Sequence, residues 1–168
     1  MKVGPARILV AGVGNIFLGD DAFGVEVLRH LAQRPARPEV RLVDFGIRGL
    51  DLVYELLKGY DLTILVDATK RGGAPGTLYT LEPEISSEAH GMNPTSVFAL
   101  AAAMGVEPGG LVVVGCEPSP LQPDGELFGA PPGLSDPVAR AIEPAAARVE
   151  PLIQAWLRKR RPLVGASA

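Results

Sequence analysis

Residues 8–25, ILVAGVGNIFLGDDAFGV, contain the pattern that decides the fold. The run Ile8–Val13 has no polar side chain, which is typical of a parallel strand buried on both faces. A glycine turn comes next, and a helix is predicted from about Asp21 to Gln33, with Asp20 as its cap. A strand, a turn and a helix in this order form the first unit of an α/β fold.

The rest of the chain repeats this alternation. Further strands are predicted at 40–43, 62–66, 77–81 and 111–114, and helices at 50–57, from a cap at Asn93 or Thr95 to Met104, and from a cap at Ser135 to Trp156 or beyond. This order predicts a three-layer α/β/α fold with a mostly parallel sheet, in which strand 77–81 lies at an edge and runs antiparallel. Without an internal repeat or a linker, residues 1–168 are expected to form one domain with a core at about 7–160.

The composition excludes several classes of protein. Hydrophobic residues make up 47% and charged residues 21% of 168 residues, as in a globular protein rather than a disordered or fibrous one. Sixteen basic and 19 acidic side chains leave a net charge of −3, so nothing favours general binding to nucleic acid. The run Ile8–Val13 is too short for a signal peptide or a membrane span, and we expect a cytoplasmic protein without membrane insertion. One cysteine excludes an internal disulfide and a cysteine-based zinc site.

A nucleotide site is not expected either. Gly12 and Gly14 begin a pattern like the dinucleotide-binding fingerprint, but its third glycine would stand at Phe17. The phosphate-binding loop GxxxxGK[ST] is absent from the chain.

Acidic residues come after three of the predicted strands. Asp20 and Asp21 follow the first, Asp44 the second and Asp67 the third, and His90 lies in the loop after the edge strand. Ligands of open α/β sheets bind beyond the carboxyl ends of the strands, so these side chains can reach one rim. Two carboxylates and an imidazole can bind a borderline divalent metal and leave coordination positions open. Of the adjacent pair, we expect one aspartate to cap a helix and the other to be functional.

Cys116 ends the last predicted strand and has two interpretations. It could be a thiol nucleophile paired with His90. It could also be a buried structural cysteine, and nothing near it in the sequence would lower the pKa of its thiol.

Six blocks together make the chain resemble the hydrogenase maturation peptidases, which process the large subunit of nickel-iron hydrogenases. The resemblance runs from about Ile8 to Ile153, and the blocks occur in order at compatible spacing: ILVAGVGNIFLGDDAFGV, VDFGIRGLDL, LTILVDA, HGMNPTSVFAL, GCEP and GLSDPV. Each block alone is weak, whereas the ordered set is specific.

The resemblance implies a five-stranded sheet between layers of helices and a metal-binding trio at Asp21, Asp67 and His90, with the two aspartates catalytic. It also implies the reaction, which is removal of a C-terminal peptide from the large-subunit precursor after nickel insertion. The nickel would come with this substrate, and no nucleotide would be needed. The family is grouped with aspartic-type peptidases, and either a carboxylate or the metal could activate the attacking water.

Several alternatives stay open at the level of sequence. Asp44 and the glycine turn from Gly46 to Gly49 would either shape the groove for the peptide or be an ordinary turn at the end of a strand. A cysteine peptidase using Cys116 and His90 is a second interpretation. A metal-dependent assembly chaperone that binds the precursor without cutting it is a third.

Overall fold

The structure, a computed structural model, describes residues 7–83, 94–106, 109–120 and 133–160. Its strands are β1 (Ile8–Val13), β2 (Val40–Gly46), β3 (Leu62–Ala68), β4 (Leu78–Leu81) and β5 (Gly110–Cys116). Its α-helices are α1 (Phe23–Leu31), α2 (Gly49–Leu56), α3 (Pro94–Ala103), α4 (Asp136–Ala139) and α5 (Ile142–Arg160), and a 3₁₀ turn at Gly19–Ala22 precedes α1.

The five strands form one sheet in the order β2-β1-β3-β5-β4. β1 pairs in parallel with both β2 and β3, β3 pairs in parallel with β5, and β4 pairs antiparallel with β5. The predicted antiparallel edge strand is therefore confirmed. The chain moves to opposite sides of β1 to form β2 and β3, which makes the carboxyl ends of β1 and β3 a topological switch point.

Helices cover both faces of the sheet and give the predicted three layers. One core contains Val10, Ile64 and Val114 of the strands together with α1 and α5. The other contains Leu9, Leu65 and Val113 together with α2 and α3. β1 is buried along nearly its whole length, because side chains from both of its faces enter a core.

The last helix differs from its prediction as one continuous element. The chain forms the short helix α4, turns at Arg140 and Ala141, and then begins α5. Pro144 explains the break, since it has no backbone N–H to donate to the carbonyl of Arg140 in an uninterrupted helix. Within the first turn of α5 that missing donor is not needed.

The predicted caps have different outcomes. The prediction of Ser135 as an N-cap is confirmed in position, since it is the N-cap residue of α4, although its side chain makes no capping hydrogen bond. Thr95 lies within α3 rather than before its first residue, and Asn93 is outside the described residues. None of the described helices is both long and apolar enough to cross a lipid bilayer.

Candidate active site

Asp21 and Asp67 come together at the switch point of the sheet. Asp67 is the second-last residue of β3, and Asp21 lies in the 3₁₀ turn between β1 and α1. Because β1 and β3 are paired neighbours, the residues after β1 lie beside the end of β3. The prediction that these two aspartates share one rim of the sheet is confirmed.

Glycines allow the 3₁₀ turn and α1 to approach the ends of the strands. A Cβ atom on Gly24 would lie 2.2 Å from the carbonyl oxygen of Val66 and 2.4 Å from that of Val13. Gly14 has a φ of 139°, and a Cβ there would lie 1.8 Å from the carbonyl oxygen of Asp21. Both contacts are with backbone, which cannot move aside, so only glycine permits this distance between Asp21 and the sheet.

The two carboxylates line one cavity of about 270 Å³. Its wall combines these acids with backbone at glycines and with apolar side chains from β1, β3, α2, α3 and the turn after β2: Val13, Gly14, Gly46, Ile47, Gly49, Leu52, Leu65 and Val97. A mostly apolar cleft with a few convergent polar groups is the usual form of a binding or catalytic site.

The carboxyl group of Asp67 has an altered acidity. Its pKa is raised from 3.8 to about 7, mainly by burial and also by the negative charge of Asp21, while a backbone hydrogen bond at Ala68 acts against both. The effect of Asp21 shows that the two carboxylates interact electrostatically. A carboxyl group with this pKa can accept and release a proton near neutral pH.

Asp21 is oriented by the loop after β1. The backbone N–H of Asn15 donates a hydrogen bond of 2.8 Å to its Oδ2 atom. The side chain of Asn15 in turn accepts the N–H of Phe17 at 2.9 Å. Asn15 was not among the residues predicted from the sequence, although its place in the turn directly after a buried strand is where such a residue would be sought.

The third predicted ligand, His90, lies outside the described residues. Within the described ranges, no three histidine, cysteine, aspartate or glutamate side chains are grouped closely enough to hold a metal ion. The two carboxylates do fit a role as partial ligands, because they face one cavity and repel each other. A cation between them would relieve that repulsion.

The predicted substrate-binding residues divide into two kinds. Gly46 and Gly49 line the cavity, whereas Asp44 is exposed and is not part of its wall. The Oδ1 atom of Asp44 accepts the N–H of Gly46 at 2.8 Å, and Arg48 donates to its backbone carbonyl at 2.8 Å. Asp44 therefore stabilises the turn, and the turn itself borders the cavity.

Cys116 belongs to the other face of the sheet. It is fully buried in the core beneath α1 and α5, whereas Asp67 and Leu65 face the cavity beside α2 and α3. Burial raises the pKa of its thiol to about 11, with further contributions from the charges of Asp20 and Glu117. A thiol that stays protonated inside the core cannot act as the nucleophile of this cavity.

Asp20 does not cap the helix that comes after it, which corrects the prediction. Its carboxylate instead accepts three hydrogen bonds, from the N–H of Ser119 at 2.8 Å, the N–H of Ser135 at 2.7 Å and the hydroxyl of Ser135 at 2.8 Å. The sequence could not predict that the carboxylate of Asp20 binds Ser119 and Ser135, because both serines are about a hundred residues away along the chain.

Glu117 is a further buried acid. It belongs to the block GCEP, but it was not predicted as a site residue from the sequence. It accepts hydrogen bonds from the N–H of Arg71 at 2.7 Å, the N–H of Gly72 at 3.2 Å and the hydroxyl of Tyr79 at 2.8 Å. Burial favours a higher pKa for Glu117, but these hydrogen bonds outweigh burial and lower it. Glu117 thereby holds the loop that leaves β3 just after Asp67.

Comparison with known proteins gives consistent matches. A family model described as hydrogenase maturation protease matches residues 25–152. The chain is 32% identical over 151 residues to the Escherichia coli protein named Hydrogenase 2 maturation protease, which covers 85% of this chain and 88% of that one. It is 33% identical over 161 residues to the hydrogenase expression/formation protein HupD of Rhodobacter capsulatus, covering 90% of this chain and 73% of HupD.

Solved structures agree with the sequence matches. The hydrogenase maturating endopeptidase HybD from E. coli superposes with a TM-score of 0.73 at 31% identity, covering 89% of this chain and 93% of HybD. The [NiFe] hydrogenase maturation protease HycI from Thermococcus kodakarensis gives a TM-score of 0.70 at 26% identity, with coverage of 90% and 95%. The family model, the curated relatives and the folds all agree, and the chain belongs to the hydrogenase maturation protease family of endopeptidases.

Proposed function

We propose that the protein removes a C-terminal peptide from the large-subunit precursor of a nickel-iron hydrogenase after nickel insertion. The observation that carries this proposal is the pair Asp21 and Asp67, which face one cavity at the switch point of the sheet. The cavity of about 270 Å³ has room for part of an extended peptide, and the glycine turn after β2 forms part of its wall. The expected compartment is the cytoplasm, in keeping with a single cysteine that forms no internal disulfide.

Nickel enters this proposal as part of the substrate. In the precursor it would be held by substrate thiolates, and carboxylate oxygens of Asp21 and Asp67 would complete a partly filled shell, with the imidazole of His90 as the third ligand. Burial, and in addition the negative charge of Asp21, raise the pKa of Asp67, and this supports the role because a bound cation would stabilise both carboxylates in their charged form. Precursor without nickel would bind less well, and this difference in affinity makes cleavage a check on assembly.

Asp67 is the candidate general base for the hydrolytic step. It lies at the end of a rigid central strand and faces the cavity, where a water molecule could lie between it and the scissile carbonyl. The alternative is that the substrate's nickel polarises the carbonyl or lowers the pKa of a water molecule bound to it. Either route assigns a catalytic role to Asp67 and agrees with an aspartic-type or metal-assisted peptidase.

The other interpretations of the sequence have less support. A cysteine peptidase would need Cys116 at the cavity, but this residue is buried beneath the opposite face of the sheet. A chaperone that binds without cutting does not agree with membership of a protease family.

The decisive experiment compares nickel-loaded and nickel-free precursor. Each is incubated with the wild-type protein and with Asp67→Asn, and the mass of the large subunit is measured before and after. We expect the wild type to cut only the loaded form and Asp67→Asn to cut neither, while folding normally by circular dichroism. Glu143→Gln, which removes an exposed charge at the start of α5, serves as a control that cuts like the wild type. Full processing by Asp67→Asn would remove this residue from the catalytic site.

A further inference from the structure

Exposed large apolar side chains are concentrated on two segments that adjoin the cavity. Of the nine that are exposed in the described part of the chain, six lie on two neighbouring segments at this end of the sheet. We call them the apolar rim: Ile16, Phe17 and Leu18 in the loop after β1, and Ile47, Leu50 and Tyr54 in the turn after β2 and in α2. The other three, Leu42, Leu100 and Met104, lie on β2 and at α3.

The two segments of the rim adjoin the same cavity. The loop 16–18 lies between Gly14 and Asp21, which both line the cavity, and Ile47 lines it directly. The N–H of Gly14 donates to the carbonyl of Gly46 at 2.9 Å, so the two segments start from hydrogen-bonded neighbours. The rim is therefore continuous with the cavity proposed to cut the peptide bond.

The exposed side chain of Phe17 stands on a hydrogen-bonded turn. Its side chain is 85% exposed, while its N–H is bound by the side chain of Asn15 and the N–H of Leu18 is bound by the carbonyl of Asn15 at 3.1 Å. The N–H of Asn15 itself binds Asp21. The turn that presents Phe17 to solvent is thus the turn that orients a candidate catalytic carboxylate.

The α2 part of the rim is one face of a helix. Leu50 and Tyr54 are four positions apart and lie on one face of α2, and Ile47 lies in the turn just before the helix. Ile47 is 74% and Tyr54 63% exposed, whereas Leu52, Val53 and Leu56 on the opposite face enter the core. The charges beside this face offset each other, because Arg48 pairs with Asp51 at 3.2 Å.

We infer that the apolar rim is the docking surface for apolar side chains of the hydrogenase large-subunit precursor, next to the segment that enters the cavity. This inference rests on the proposed function. An exposed apolar cluster of this kind marks an interaction site, since leaving it in water is unfavourable. The precursor is the expected partner because the rim adjoins the cavity. A protein whose chain enters the cavity must lie against the residues beside it. Phe17 is the expected anchor, since a large aromatic side chain at an interface contributes most to affinity.

The test measures binding and cutting of the nickel-loaded precursor by Phe17→Ser, with Met104→Ser as the matched control. Met104 is 51% exposed at the end of α3, is not part of the rim and does not line the cavity. We expect Phe17→Ser to fold, to bind the precursor about tenfold more weakly and to raise KM about tenfold, with a smaller change in kcat. Met104→Ser should leave both the dissociation constant and KM unchanged.

The remaining outcomes overturn the inference in distinguishable ways. If the wild type cuts the precursor and Phe17→Ser has the same KM and affinity, the rim is not the docking surface and the proposed function stands. If Phe17→Ser instead converts a dimer into a monomer by light scattering, with KM unchanged, the rim is a contact between copies of this chain. If the wild type neither binds nor cuts the loaded precursor, the proposed function and the inference both fail.

Discussion

At the level of single residues, the ionisation of Asp67 opposes the stability of the folded chain. Its pKa is about 7 in the folded protein against 3.8 as the ordinary value, because ionisation places a charge in a buried position beside Asp21. A group whose pKa is raised by folding stabilises the fold at low pH, and this contribution is lost as the pH rises through the folded pKa. Asp67 thus lowers the free energy of unfolding progressively as the pH rises from about 4 to about 7. An uncharged residue at this position would cause no such loss.

Replacing Asp67 by asparagine should therefore stabilise the protein in a pH-dependent way. Relative to the wild type, Asp67→Asn should gain about 2 kcal/mol more unfolding free energy at pH 8 than at pH 5. Urea unfolding at the two pH values measures this difference, with Glu143→Gln as the control for removal of an exposed charge. A gain that is the same at both pH values would contradict the raised pKa of Asp67.

Cys116 is a residue whose chemistry is suppressed by its position. We expect Cys116→Ser to lose about 1–2 kcal/mol of stability, because a hydroxyl group is less favourable than a thiol in an apolar core, and to keep its activity per folded molecule. Iodoacetamide should modify the wild type slowly until urea unfolds it. A well-folded Cys116→Ser protein without any activity would instead support the thiol mechanism.

At the level of elements, Asp20 connects three distant parts of the chain. It binds Ser119, which lies after β5, and Ser135, which precedes α4, from the 3₁₀ turn that also carries Asp21. The hydroxyl of Ser119 adds a contact of 2.9 Å to the hydroxyl of Ser135. The position of the turn between β1 and α1 is therefore held from outside as well as by its own hydrogen bonds.

Asp20→Ala should weaken this connection measurably. Two backbone N–H groups lose a charged partner, and we expect a loss of about 2–4 kcal/mol of unfolding free energy. Hydrogen exchange should accelerate at the amides of Ser119 and Ser135 before it does so in β1 or β3. Asp136→Ala, an exposed acid in the first turn of α4, should lose less than about 1 kcal/mol. Unchanged exchange at both serines would show that Asp20 does not hold them.

At the level of the whole molecule, metal dependence distinguishes nickel brought by the substrate from nickel owned by the enzyme. Open carboxylate ligands should hold nickel only weakly in the free protein, so the purified enzyme should contain little metal. A chelator added after nickel is inserted into the precursor should have little effect on cutting, whereas nickel-free precursor should stay intact. Two measurements distinguish the two sources of nickel. The first is the metal content of the purified enzyme, and the second is cutting after the chelator has been added either to the enzyme alone or to the loaded precursor alone. Loss of cutting when only the enzyme is treated, with recovery on adding nickel to it, would contradict the proposal.

Much of the architecture could be predicted from the sequence because its signals are local. Buried parallel strands are short apolar runs such as Ile8–Val13, and their alternation with helical segments leaves few possible topologies. The positions of Asp21 and Asp67 at the ends of strands were predictable for the same reason. Boundaries were less accurate, as with the break before α5, because the effect of Pro144 depends on where the preceding turn ends.

The sequence by itself therefore determined the layered fold, the family and the edge of the sheet at which the acids gather. Only the tertiary structure decided where each acid is directed: Asp67 faces the cavity, Asp44 binds its own turn, and Asp20 reaches Ser119 and Ser135. The tertiary structure also decided the position of Cys116. It is the last residue of β5, and its side chain enters the core beneath α1 and α5, on the opposite face of the sheet from Asp67. The physical reason is that the direction of a side chain depends on strand register and on the helix packed above it, and both arise from contacts between residues far apart in the chain.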